Sequence, residues 1–245
     1  MVPASPTIRT HPVSGRNPRE PKRELILAHS EYGGYGSGLI FIIHSYKAER
    51  PQRLEGSFLN LIAHDPVFER DLSFDGVNAK QYRSMQSHRE SNYFLRTVQF
   101  MTKKHLYVVT LATLEEGNAA VNQFLKSLRL RKSSDQAISV EPPADHRPTD
   151  VFRAQDVTRR AIIVRKGEPF YTHLAREHRV TGTVILEAVL ASNGYVANII
   201  VTRELKDGLT ESAIDSARNI RFFPAEKDGK PVSQRVILEY SFNLY

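Results

Sequence analysis

The residues able to do chemistry fall into a few sets, each pointing to a different reaction. Nine histidines could hold a metal ion, but none stands in a His-Glu-x-x-His spacing, and His173 and His178 lie five apart, on different faces of a helix. No metal is expected. Serine, histidine and aspartate are plentiful, yet no Gly-x-Ser-x-Gly elbow exists to present a nucleophile. Cysteine is absent, which removes thiol nucleophiles, Cys–zinc sites and iron–sulfur clusters. The run Gly33-Gly34-Tyr35-Gly36-Ser37-Gly38 could cradle a phosphate, but no Gly-Lys-Ser/Thr follows and the next segment reads as a strand, so a flexible turn is expected. Phe94, Arg96, Phe100, Lys103, Lys104 and Tyr107 interleave aromatic rings with positive charge, as nucleic-acid surfaces do. Core aromatics beside a charged turn explain the same pattern, and no nucleic-acid partner is expected. The chemistry anticipated is binding, not catalysis, and needs no cofactor.

Those residues sit in a chain of 245, with 40% hydrophobic and 25% charged residues, the composition of ordinary globular protein. At about 100–150 residues per domain, two domains are expected. The net charge of +7 is unevenly spread. Residues 1–23 hold five basic residues and one acid and read as a flexible basic leader, whereas 133–157 hold five acids, two bases and three prolines, the composition of a linker. The longest apolar run, Leu39 to Ile43, is far below the roughly 20 residues of a membrane helix. The leader lacks the apolar core of a signal peptide, so either the protein is cytosolic or an export segment lies upstream of Met1.

Between 24 and 132, the pattern predicts strands over 24–30, 38–46, 67–74, 78–85, 92–101 and 105–113. Helices are predicted over 50–63, with Leu54, Phe58, Leu61 and Ile62 on one face, and over 118–128, with Val121, Phe124, Leu125 and Leu128. This is an α+β unit built on an antiparallel sheet. Tyr93-Phe94-Leu95, His105-Leu106-Tyr107-Val108-Val109 and Phe124-Leu125-Lys126-Ser127-Leu128 give it a resemblance to PsbP/Mog1-like domains over about 110 residues. The resemblance implies a binding or scaffold domain without catalytic residues.

From 158 to 245, a short helix over 168–179 precedes strands at 183–191 and 195–203, joined through Asn193-Gly194, which predicts a two-residue type I′ turn. Leu209, Ala213, Ile214, Ala217 and Ile220 trace a helix with Thr210 as its N-cap, and Val236, Leu238, Tyr240 and Phe242 alternate along a final strand over 234–243. A crossover helix lets that strand lie antiparallel beside the first, as a sheet edge. An edge offers unpaired N–H and C=O groups that can capture an extended peptide. Two copies could also pair through Arg235 to Phe242, which would make a homodimer.

These residues resemble the C-terminal domain of TonB energy transducers. The motifs are Pro169-Phe170-Tyr171 with Ala175-Arg176, Gly182-Thr183-Val184, Asn193-Gly194 with Val196, Ala213 with Ala217, Arg221-Phe222-Phe223-Pro224-Ala225, Gly229-Lys230-Pro231-Val232, and a terminal strand to Phe242. The resemblance implies a two-layer domain with a three-stranded antiparallel sheet and two helices. It also implies a non-enzymatic periplasmic or cell-envelope protein that pairs its last strand with a TonB-dependent outer-membrane receptor during siderophore or vitamin uptake, driven by an inner-membrane motor complex. By that resemblance the contacts fall on Gln234, Arg235, Val236, Leu238, Tyr240 and Phe242. Thr172 stands where the family usually has a second proline, so a less rigid lead-in to the first helix is expected. The family's membrane anchor and Pro/Lys-rich spacer are not found in these residues, and a soluble scaffold that makes protein contacts without transmitting energy is the alternative.

Overall fold

The computed structural model describes residues 7–11, 28–48, 50–54, 58–59, 65–88, 91–128, 148 and 150–244. The architecture is α+β, with the chain dividing into two units, Met1–Pro142 and Pro143–Tyr245.

The first unit is a seven-stranded antiparallel sheet of β1 (Thr7–His11), β2 (Ala28–Gly36), β3 (Leu39–Lys47), β4 (Val67–Phe74), β5 (Val77–His88), β6 (Ser91–Met101) and β7 (His105–Thr113). The spatial order is β1-β2-β3-β7-β6-β5-β4. Helix α1 (Ala119–Ser127) starts at Asn118, whose Oδ1 accepts the Ala120 N–H at 2.9 Å, and lays Val121 and Leu125 over Phe41, Val98, Phe100, Val109 and Leu111. The opposite sheet face packs Tyr46, Leu106 and Val108 against Leu54 and Phe58.

Three expectations change here. Residues 7–11 of the presumed leader pair with β2. The Gly33 to Gly36 run lies inside β2, and only Ser37-Gly38, both at positive φ, forms a tight turn into β3. Of the helix predicted over 50–63, the described residues show a 3₁₀ turn at Pro51–Leu54 that starts at the proline and a positive φ at Phe58, and Leu61 and Ile62 lie outside the described residues.

The second unit contains β8 (Val151–Phe152), β9 (Ile162–Arg165), α2 (His173–Glu177), β10 (Gly182–Leu190), β11 (Val196–Arg203), α3 (Leu209–Arg218), β12 (Arg221–Phe223), β13 (Ala225–Lys227) and β14 (Lys230–Phe242). The order β11-β10-β14-β13 places the last strand beside the first, antiparallel, as the sequence pattern requires. Two strands go beyond the expected three: β13 pairs with the start of β14, and β8 lies parallel to it at Ser233 and Gln234. Because β8 falls inside 133–157, that segment is not linker throughout. The inner sheet face buries Val184, Leu186, Ala188, Leu190, Leu238, Tyr240 and Phe242 against Ala175, Ala213 and Ala217 of the helices, and small residues there let helix and sheet approach closely.

The turn at Asn193-Gly194 is not the expected two-residue one. Gly194 N–H bonds to Ala191 O and Ala191 N–H to Tyr195 O, each at 2.9 Å, and of the pair only Gly194 has positive φ. The type I′ pair belongs instead to Asp228-Gly229, both at positive φ, which set β13 against β14. The first helix is confined to five residues, since residues 166–172 form no helical turn and Thr172 is its extended N-cap, and α3 is capped by Gly208, not Thr210. Thr210 Oγ1 instead closes the loop before α3, bonding both N and O of Leu205.

Candidate functional site

Strand β14 has two sides. Towards β10 its pairing is continuous, from Leu190↔Gln234 to Gly182↔Phe242. Before Arg235, β13 pairs with residues 230–232, and β8 pairs with 233–234. From Arg235 to Phe242 the side away from β10 has no strand neighbour among the described residues, so no strand bonds the main-chain groups turned that way.

Alternation decides which side chains such a strand would meet. Leu238, Tyr240 and Phe242 are buried, and Val236 packs partly buried against the same core. Gln234 is buried too, its Oε1 accepting the Ala161 N–H at 2.7 Å. Of the six residues named from the sequence, only Arg235 points outward, and it bonds Glu187 at 2.5 Å on the neighbouring strand. The outward set therefore adds Ile237, 70% exposed, with Glu239 and Ser241, none of which was singled out. Their signal was present: where 236, 238, 240 and 242 form the core stripe, the odd positions must face solvent.

The lead-in segment after β9 runs beside this edge. Lys166 Nζ donates to the Glu239 main-chain oxygen at 2.5 Å and lies 4.3 Å from the centre of the Tyr240 ring. Burial pulls the Lys166 ammonium below its ordinary pKa, opposed by the Glu239 carboxylate. Burial also raises the Tyr240 phenol, whose oxygen has no hydrogen-bond partner among the described residues. Further on, Tyr171 Oη donates to Val180 O, and its ring meets Phe242 edge-on at 5.6 Å. Phe170 and Leu174 beside it are about half exposed.

The remaining motif residues shape the support. Gly182 has φ 141° and lies under Leu205, Phe222 and Ala225 are buried, Pro224 separates β12 from β13, and Pro231 pairs opposite Glu226. His178 pairs with Asp207 at 2.8 Å, and His173 lies 4.0 Å from Glu177. No group of three metal-ligating side chains occurs among the described residues. In the first unit Phe100 is buried and stacked on Tyr107, with Lys103 and Lys104 on the exposed turn. A cavity of about 560 Å³ there is lined by Asp71, Lys80, Gln99, Phe100 and Met101 among others, a set that includes no serine, threonine or histidine. No described helix is long and apolar enough to cross a membrane.

A two-layer unit presenting a half-open terminal strand has the geometry that strand-accepting modules use. Residues 167–244 match the family described as Gram-negative bacterial TonB protein C-terminal. The chain is 27% identical over 89 residues to Protein TonB of Vibrio cholerae serotype O1, a match covering 36% of each, so it spans about a third of that relative's length. A crystal structure of a protein of unknown function from Pseudomonas aeruginosa aligns at 18% identity over 53% of this chain and 85% of that one, with a TM-score of 0.28, too loose a superposition to assign a fold.

Proposed function

We propose that this chain is a non-enzymatic TonB-family protein of the cell envelope whose C-terminal domain adds an extended segment of an outer-membrane receptor to the open edge of β14, as part of energy-coupled uptake. What supports this is the stretch from Arg235 to Phe242, paired with β10 along one side and with no described strand along the other. Main-chain bonds supply the affinity, and Arg235, Ile237, Glu239 and Ser241 supply the selectivity. A pull along the added strand would then be transmitted to the receptor by an inner-membrane motor. For the first unit, the antiparallel sheet carrying α1 supports a PsbP/Mog1-like scaffold role.

The test is hydrogen exchange on the full chain with and without a synthetic peptide copying the N-terminal segment of a TonB-dependent receptor from the same organism. Protection confined to main-chain amides within 235–242 is expected. Binding that protects some other surface overturns strand addition, and absence of binding to every such segment overturns the receptor reading.

A further inference from the structure

The open edge of β14 matches itself. Its register against β10 runs through nine consecutive pairs without a bulge, and residues 235–242 contain no proline, so two devices that blunt natural sheet edges are missing. Arg235 is drawn onto Glu187, away from the edge. If two copies lie antiparallel about a two-fold axis at Ile237, Ile237 meets Ile237 of the second copy, and Arg235 of each chain stands opposite Glu239 of the other. Opposite charges face each other, with an exposed isoleucine pair between them.

One contact stands in the way. In that pairing the Glu239 oxygen must accept a main-chain N–H from the second copy, and Lys166 already takes it. We propose that Lys166 is an edge guard: its ammonium, held on the Glu239 oxygen and over the Tyr240 ring, keeps β14 from pairing with β14 of a second copy. The guard comes from outside the strand, on the segment that follows β9, so it withdraws by side-chain rotation without disturbing the sheet. Pairing two copies requires two guards to leave, and each departure gives up a charge-assisted hydrogen bond. This inference rests on the open edge and not on the receptor reading, and its test uses no receptor.

Sedimentation equilibrium of the full chain, comparing the natural protein with Lys166→Met, Lys166→Gln and Lys166→Arg, measures the guard directly. Lys166→Met keeps the stem without the charge and is expected to self-associate at least about tenfold more tightly. Lys166→Gln is a second route to the same gain, and Lys166→Arg is expected to stay with the natural protein. Adding Ile237→Lys to Lys166→Met places a charge on the edge and is expected to abolish the gain. Neutral variants that melt like the natural protein and associate no more tightly overturn the proposal. So does a gain that Ile237→Lys leaves intact, since the contact would then lie elsewhere.

Discussion

Thr172 Oγ1 donates to the main-chain oxygen of Asp207 at 2.6 Å and accepts the Ala175 N–H at 3.1 Å, so one hydroxyl caps α2 and ties it to the loop that starts α3. The proline usual at this position in the resembled family would stiffen the chain but could make neither bond. Rigidity here comes from hydrogen bonding. Thr172→Val, which keeps the shape and removes both bonds, is expected to lower stability by about 1–2 kcal/mol, while Thr172→Ser stays close to the natural protein. Urea denaturation of the three proteins reads this, and equal midpoints for threonine and valine would remove the tie.

Gly182 begins β10 at φ 141°, where a Cβ would stand 3.0 Å from Leu205 Cδ2. Both the backbone and the space are suited to glycine. Gly182→Ala is expected to cost about 1–3 kcal/mol. Gly167→Ala is the control, since no atom lies within 4 Å of its Cβ and its φ is not positive, and it is expected to stay within about 0.5 kcal/mol. Similar thermal shifts for the two variants would refute the packing argument.

What the sequence disclosed follows from how strongly each segment repeats. The strand over Val67–Phe74 and the one over His105–Thr113 have the predicted bounds, because tight turns and charged loops punctuate long β-rich runs. Strands β12 and β13 were missed because three residues on either side of Pro224 carry no period, and their place is set by β9 and β14. The site was half legible. Alternation marked 236, 238, 240 and 242 as one face, but resemblance assigned that same face to a partner, and only the packing of Leu238, Tyr240 and Phe242 turns the choice to the odd positions. Lys166 carried no signal, since its contact joins residues 73 apart.

In the first unit, His105 opposes Lys47 across β3 and β7. Burial, with Lys47 and Lys104 adding to it, holds the imidazole below its ordinary 6.5. As pH falls, the unfolded chain takes up this proton first, so stability contributed above about pH 6.5 is lost as pH drops towards the lowered folded value. His105→Gln removes that term. The midpoint difference, natural protein minus variant, is expected to be smaller at about pH 5.5 than at about pH 8, and a difference independent of pH would show that His105 is not linked to folding.

Neighbouring residues on β14 separate support from recognition. Leu238 is 3% exposed in the core, and Leu238→Ala is expected to cost about 2–5 kcal/mol through lost burial and the cavity left behind. Ile237, 70% exposed on the outward side, contributes little to folding, so Ile237→Thr is expected to stay within about 0.5 kcal/mol while keeping β propensity. Binding reverses the order. An added strand lies beside Ile237 and not beside the buried Leu238 side chain, so Ile237→Thr should weaken capture of a receptor peptide at unchanged stability, read by titration calorimetry beside a melt of the same sample. Unchanged affinity in Ile237→Thr would mean that the outward row takes no part in selecting the partner.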